Sequence, residues 1–195
     1  MERIDTKKVY EGKFLSVFED SFSNNDKTIN WETVRRNGND NGGVVIVPFH
    51  VKKNKYVLTK EFRIPIEDFE ISFPAGLVED NETIEETVKR EILEETGLHV
   101  VNFIKISPMT YSTAGLTDEK SAIVFVNVDG EINDKFLQPS EEILPFFVSI
   151  DEMSKLLALP DLKWGSKAWL ICENIVNVEN IKRRFEMTIH NLENN

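Results

Sequence analysis

Residues 76–98, GLVEDNETIEETVKREILEETGL, confine this part of the chain to one local structure and set it a problem. Thr83 and Glu86 have the spacing of a capping box, which predicts a helix starting near Ile84. Gly97 is suited to the position just past a helix end and predicts where it stops. At about 100° per residue, with Glu91 at zero, Ile84, Val88 and Ile92 fall at about 20°, 60° and 100°. They form an apolar stripe. Glu95 falls at about 40°, inside that stripe, and Glu94 at about −60°, on its flank. Like charges at i,i+4 cost a few tenths of a kcal/mol on an exposed helix. A carboxylate pushed into an apolar arc costs considerably more unless it is neutralised. One reading is a solvated acidic face, with Arg90 pairing to Glu86 or Glu94 at i±4. The other is that Glu91, Glu94 and Glu95 share divalent cations, which would remove both costs. Hard ions such as Mg²⁺ prefer oxygen ligands of this kind.

The remainder of the 195 residues frames that helix. Segments 13–22 and 29–36 read as two strands about a polar turn and make a small N-terminal antiparallel β unit. NGNDNGG, residues 37–43, reads as a linker, which predicts a β unit over 1–40 and a main domain over 41–195. Further strands are expected at 44–49, 56–62, 69–73, 99–106, 122–128 and 143–150, and helices at 150–159 and 166–185. Strands and helices mix without strict alternation, so the expected class is α+β, with a mixed sheet sandwiched between helices. The net charge of −11 argues against nucleic acid and anionic membranes as partners. An anionic ligand then needs a local cationic device, either arginines or bound metal. Cys172 is the only cysteine, which fits a reducing, cytoplasmic setting. The N-terminal residues lack the apolar core of a signal peptide, and no apolar run is long enough to span a bilayer. His50, His99 and His190 are dispersed and suggest no site of their own.

The full spacing decides between the two readings of the helix. Gly76, Glu82, Arg90, Glu91, Ile92, Glu94, Glu95, Gly97 and Leu98 match G-x5-E-x7-R-E-U-x-E-E-x-G-U at every position, where U is a bulky aliphatic residue. Seven fixed identities at ordinary residue frequencies should arise by chance in fewer than about one in a million such chains. This is the Nudix box, and the sequence resembles the Nudix hydrolases, which cleave a nucleoside diphosphate linked to another moiety. The resemblance implies Mg²⁺ or Mn²⁺ held by Glu91 and Glu95, with Glu94 assisting and the carbonyl of Ala75 as a further ligand. It also implies that Arg90 orients the glutamates and that Glu82 braces the loop.

Outer motifs narrow the resemblance to the ADP-ribose and ADP-sugar pyrophosphatases. FEISFPAGLVEDNET looks like their approach to the box, and TKEFRIP, residues 59–65, like a strand motif ending in Gln-Phe-Arg. NWETVRR, residues 30–36, resembles a segment in which a tryptophan stacks on adenine. SPMTYSTAGLTDE, residues 107–119, resembles the loop that closes over the scissile phosphates. The implied substrate is a small nucleotide sugar, cut to AMP and a sugar phosphate (ribose 5-phosphate from ADP-ribose). Trp31 is then an adenine platform or else a core tryptophan. Arg63 and Arg36 are candidates for the phosphates and terminal ribose, or else surface ion pairs. Leu77 lines the pocket through its backbone or simply packs. Glu119 is the first choice of base, with Glu141 and Glu142 as alternatives. A homodimer is implied, each N-terminal β unit completing the partner's site, though NGNDNGG would equally serve as a linker within a monomer. Glu61, Ser72, Thr113 and Ala114 depart from the pattern and leave the sugar open. A GDP-sugar or another nucleoside diphosphate derivative is the alternative substrate. A non-catalytic nucleotide sensor is the alternative class.

Overall fold

The computed structural model describes residues 1–25, 27–38, 41–137 and 142–193, with 187–193 as backbone only. In chain order its strands are β1 (Glu2–Glu11), β2 (Leu15–Asn24), β3 (Lys27–Arg36), β4 (Gly43–His50), β5 (Lys55–Arg63), β6 (Asp68–Ser72), β7 (Ala75–Leu77), β8 (His99–Ile106), β9 (Thr110–Tyr111), β10 (Lys120–Asp129), β11 (Ile143–Val148) and β12 (Lys163–Trp164). The helices are α1 (Ile84–Thr96), α2 (Ile150–Leu157) and α3 (Ser166–Glu193). The class is α+β, with a mixed multi-strand sheet and a small antiparallel one, as expected. Among the described residues no helix is long and apolar enough to cross a membrane.

Contacts divide the chain into two units. One holds Met1–Val45, Ala75–Val88 and Ile106–Val124, and the other holds Ile46–Pro74, Lys89–Lys105 and Phe125–Asn195. In the first, β1, β2 and β3 form a sheet in that order. The sequence predicts only two strands here. The extra one, β1, is exposed along its whole length and has no inward apolar face to announce it. It forms by pairing along β2, with register shifts after Arg3 and Lys8. β2 and β3 pair without interruption from Leu15↔Arg36 to Asn24↔Lys27. The start of β4 pairs with β7, Gly43 opposite Leu77 and Val45 opposite Ala75. A Cβ at Gly43 would stand 2.7 Å from the carbonyl oxygen of Gly76, so only glycine allows this approach. β9 pairs with the start of β10.

In the second unit the strand order is β12-β6-β5-β4-β10-β8, and β11 pairs with β5. β12 lies parallel to β6, while β11–β5 and β5–β6 are antiparallel. Ile46, Val47, Val57, Leu58, Phe73, Ile92, Leu98, Val126 and Met153 are fully buried. α2 begins in a complete capping box of Ser149 and Glu152 and packs on α3. Glu152 is held down to about 2, first by the Ser149 N–H, then by the Ser149 hydroxyl and Lys55.

Candidate active site

The helix at the centre of the sequence pattern, α1, forms as its spacing demands. The Thr83 N–H donates to Glu86 Oε2 (2.8 Å) and the Glu86 N–H donates to Thr83 Oγ1 (3.2 Å), which closes the capping box. Gly97 sits at φ 72° beyond the last turn and donates its N–H to the Leu93 carbonyl. The side-chain end of Asn133 packs against Gly97, and the positive φ is what calls for a glycine at this end of the helix. Val88 and Ile92 are fully buried, as the stripe predicts. Glu91 and Glu95 go in with them, at 8% and 7% exposure. Arg90 Nη1 donates to Glu91 Oε1 at 2.6 Å and to Glu94 Oε2 at 3.3 Å. Arg90 thus lies against two of the glutamates that it is expected to orient. Among the described residues no three His, Cys, Asp or Glu side chains converge closely enough to hold an ion as they stand. In this arrangement Glu91 and Glu94 are drawn onto Arg90.

The loop before α1 is tied to the helix by Glu82. Its Oε2 accepts from the Glu79 N–H (3.3 Å) and from Thr87 Oγ1 (2.8 Å), so one carboxylate joins the loop to the first turn. Ala75 and Leu77 lie in β7, and Leu77 is 40% exposed.

Within the first unit, β3 and the loop at 112–119 bring three of the predicted residues together. Arg36 Nε and Nη2 both donate to Glu119 Oε1, at 2.9 and 2.5 Å. A candidate base and a candidate phosphate ligand are thus paired with each other. Trp31 Nε1 donates to the carbonyl of Gly115 at 2.9 Å, and the residue is 54% exposed. It is not a core tryptophan. Arg63, in the second unit, also has carboxylate partners. It donates to Glu61 Oε1 at 2.6 Å through Nη1 and to Glu70 Oε2 at 3.1 Å through Nε. An anionic ligand at Arg36 or Arg63 must compete with these carboxylates. The backbone carbonyl of Glu142 accepts from the Phe62 N–H at 3.1 Å, and Glu141 lies outside the described residues.

Two groups are accounted for by packing. His50 is buried, with Nδ1 accepting from the Lys53 N–H and Nε2 facing the Gly130 carbonyl at 3.1 Å. Cys172 is buried, and burial pushes its thiol up to about 12, which keeps it protonated and unreactive.

The profile of the NUDIX domain matches residues 40–170, a span that contains α1 and all the box positions. The chain belongs to the Nudix family. An ADP-ribose pyrophosphatase of Bacillus subtilis is 32% identical over 173 residues, 86% of this chain and 89% of that protein. An ADP-sugar pyrophosphatase of Mus musculus is 30% identical over 130 residues, 63% of this chain but only 59% of the mouse protein. The crystal structure of an ADP compounds hydrolase superposes with a TM-score of 0.73, covering 94% of this chain and 96% of that one. At 20% identity that likeness establishes the fold alone.

Sequence reasoning missed one feature of the first unit. Asp20, in the middle strand β2, is 1% exposed and bonded to Thr6, Thr33 and Arg35. The signal was available. In FLSVFEDSF, Asp20 alternates with Phe18 and Phe22, so it takes an inward position on a strand as Glu95 does on the helix.

Proposed function

We propose that this Nudix hydrolase cleaves the diphosphate of ADP-ribose or a related ADP-sugar, with Mg²⁺ or Mn²⁺, to give AMP and a sugar phosphate. The observation that carries the reading is the buried charge on α1. Glu91 and Glu95 are nearly covered, Glu94 stands beside them, and Arg90 is the cation bonded to Glu91 and Glu94. The side-chain donors are all carboxylate oxygens, which suits a hard divalent ion. Glu91 and Glu95 would hold it, with Glu94 and the Ala75 carbonyl assisting. Such an ion supplies neutralisation of the diphosphate and polarisation at phosphorus.

The chain's own residues would do the rest. Arg90 orients Glu91 and Glu94, and Glu82 keeps the preceding loop on the first turn of α1. The exposed Trp31 ring offers a stacking face for adenine. Arg36 and Arg63 would exchange carboxylate partners for phosphate oxygens, to which a guanidinium can bind through two N–H groups. Once Arg36 turns to substrate, Glu119 is released to accept the proton of the attacking water. The names of the Bacillus and mouse relatives support the adenine-containing substrate. The reading includes a homodimer, motivated by the exposed Val9, Tyr10, Phe14 and Leu15 of the N-terminal sheet and its connection.

A panel of ADP-ribose, other ADP-sugars, GDP-sugars and modified nucleotides, with products separated by chromatography, tests the reading. The expected result is release of AMP from an ADP-sugar only when the divalent ion is present. Preference for a GDP-sugar would remove adenine recognition. Binding of the panel without turnover would make the protein a nucleotide sensor.

A further inference from the structure

We infer that Asp20 is a positioning residue, acting through Arg35 to seat the loop at 112–119 against the open edge of β3. β3 is the last strand of its sheet, so its outer N–H and C=O groups are free to pair with another segment. The loop takes that edge. The Val34 N–H donates to the Leu116 carbonyl at 2.9 Å, and Val34 forms a parallel bridge with Thr117. Trp31 holds Gly115 from one side and Arg36 holds Glu119 from the other. The loop is closed on itself by the Ser112 N–H to the Glu119 carbonyl (3.1 Å) and by the Leu116 and Thr117 N–H groups to Thr113. It therefore docks as a preformed turn, and its alignment along β3 fixes where Glu119 stands.

Arg35 and Asp118 face each other between those anchors, with Arg35 Nε 4.0 Å from Asp118 Oδ2. Arg35 is a flexible side chain on an edge strand, and two contacts restrain it. Its guanidinium lies over the Phe18 ring, 4.3 Å from the centroid. Its Nη2 donates to Asp20 Oδ2. Asp20 is itself fixed, because Oδ1 accepts from Thr6 Oγ1 at 2.7 Å and Oδ2 from Thr33 Oγ1 at 2.9 Å, with Arg3 Nε 3.8 Å from Oδ1. A buried ion pair contributes little net stability compared with apolar packing of the same space. What the Asp20 carboxylate adds is direction. It holds Nη2 inside the sheet, with Nε 4.0 Å from Asp118 of the loop.

The catalytic part of this inference rests on the reading of Glu119 as base, whereas the seating of the loop does not. Asp20→Asn, Arg35→Met and the double variant, made in the full chain, separate the two. Amide hydrogen exchange at Val34 reports the loop bond directly, and the inward amides of the β2–β3 ladder report the sheet. Both single variants should speed exchange at Val34 by about tenfold or more while the ladder changes by less than about twofold. For ADP-ribose, kcat should fall about three- to tenfold with KM nearly unchanged. The double variant should be no worse than either single one, because the two residues act in series. Arg35→Lys should recover part of the loss. Equal loosening of Val34 and the ladder would mean that Asp20 merely holds the sheet, and the inference falls. It also falls if Val34 stays protected, or if the losses in kcat add. Selective loosening with full kcat overturns the catalytic part when Glu119→Gln is inactive. If Glu119→Gln is fully active, the choice of base has failed and the seating stands.

Discussion

Glu95 is a charged side chain at a position that the helix assigns to the core, and that conflict is the most informative single fact about the molecule. It was legible in the sequence because 100° periodicity alone places it among Val88 and Ile92. Glu95→Gln keeps the shape and removes the charge. Turnover should fall by at least about a hundredfold, as for other lost electrostatic groups, while circular dichroism stays unchanged. Near-normal turnover at saturating Mg²⁺ would remove Glu95 from the ligand set. The pairing of Arg36 with Glu119 was not legible, because the partners are 83 residues apart and nothing local reports it. Nor was the bond from Trp31 to Gly115, which gives the indole a second task. Trp31→Phe keeps an aromatic face and loses the N–H donor. Affinity for ADP-ribose should be largely kept, since stacking is worth about 1–3 kcal/mol and any aromatic ring supplies a share of it. kcat should fall by severalfold as the loop loosens. Calorimetry and steady-state kinetics on the same preparation check both. A Trp31→Phe enzyme with unchanged kcat would leave the indole N–H without a role in turnover.

At the scale of elements, what was read correctly is what has a period. α1 runs over the predicted residues because its cap, stripe and terminal glycine all agree. β4, β5, β8 and β10 are runs of β-branched and aromatic residues and were found within a few positions. β7, β9 and β12 are too short for a pattern to develop. β1 is long enough, but its residues are exposed throughout, and only its partner β2 makes it a strand. The loop docked on the sheet it joins should be sensitive to acid. Burial pushes the Asp20 carboxyl up, yet hydrogen bonds from Thr6, Arg35 and Thr33 outweigh it and hold the group below its ordinary value. A carboxyl lowered in the folded state contributes stability that is fully present above its unfolded value of about 3.9. That contribution is lost as the pH falls through the lower, folded value. Exchange protection of the Val34 amide, which bonds the 112–119 loop, should therefore decline as the pH drops below about 4. Asp20→Asn should already have lower protection at Val34 at neutral pH and show little further loss on acidification. An unchanged acid profile in that variant would shift the sensitivity to other carboxylates.

For the whole molecule, the net charge of −11 means that an anionic substrate is drawn in by local devices and not by the general field. The proposed homodimer adds a second copy's N-terminal sheet to those devices. Mixing Trp31→Ala/Arg36→Ala with Glu91→Gln/Glu95→Gln, each inactive alone, should restore some activity if sites are shared between copies. One site of the mixed dimer then combines an intact sheet with an intact α1. A monomer by light scattering at micromolar concentration would contradict this, as would heterodimers without recovered activity. The central claim is hydrolysis at the diphosphate of an adenine nucleotide sugar, directed by the carboxylates of α1. Phosphorus NMR of ADP-ribose with the protein, first in chelator and then with excess Mg²⁺, follows that bond directly. The account predicts a stable pair of diphosphate resonances in chelator. On adding Mg²⁺ they should be replaced by the two monophosphate resonances of AMP and ribose 5-phosphate, and Glu91→Gln/Glu95→Gln should show no such change. Persistence of the diphosphate with Mg²⁺ present for ADP-ribose and every ADP-sugar tried, or equal cleavage by the double variant, would contradict it.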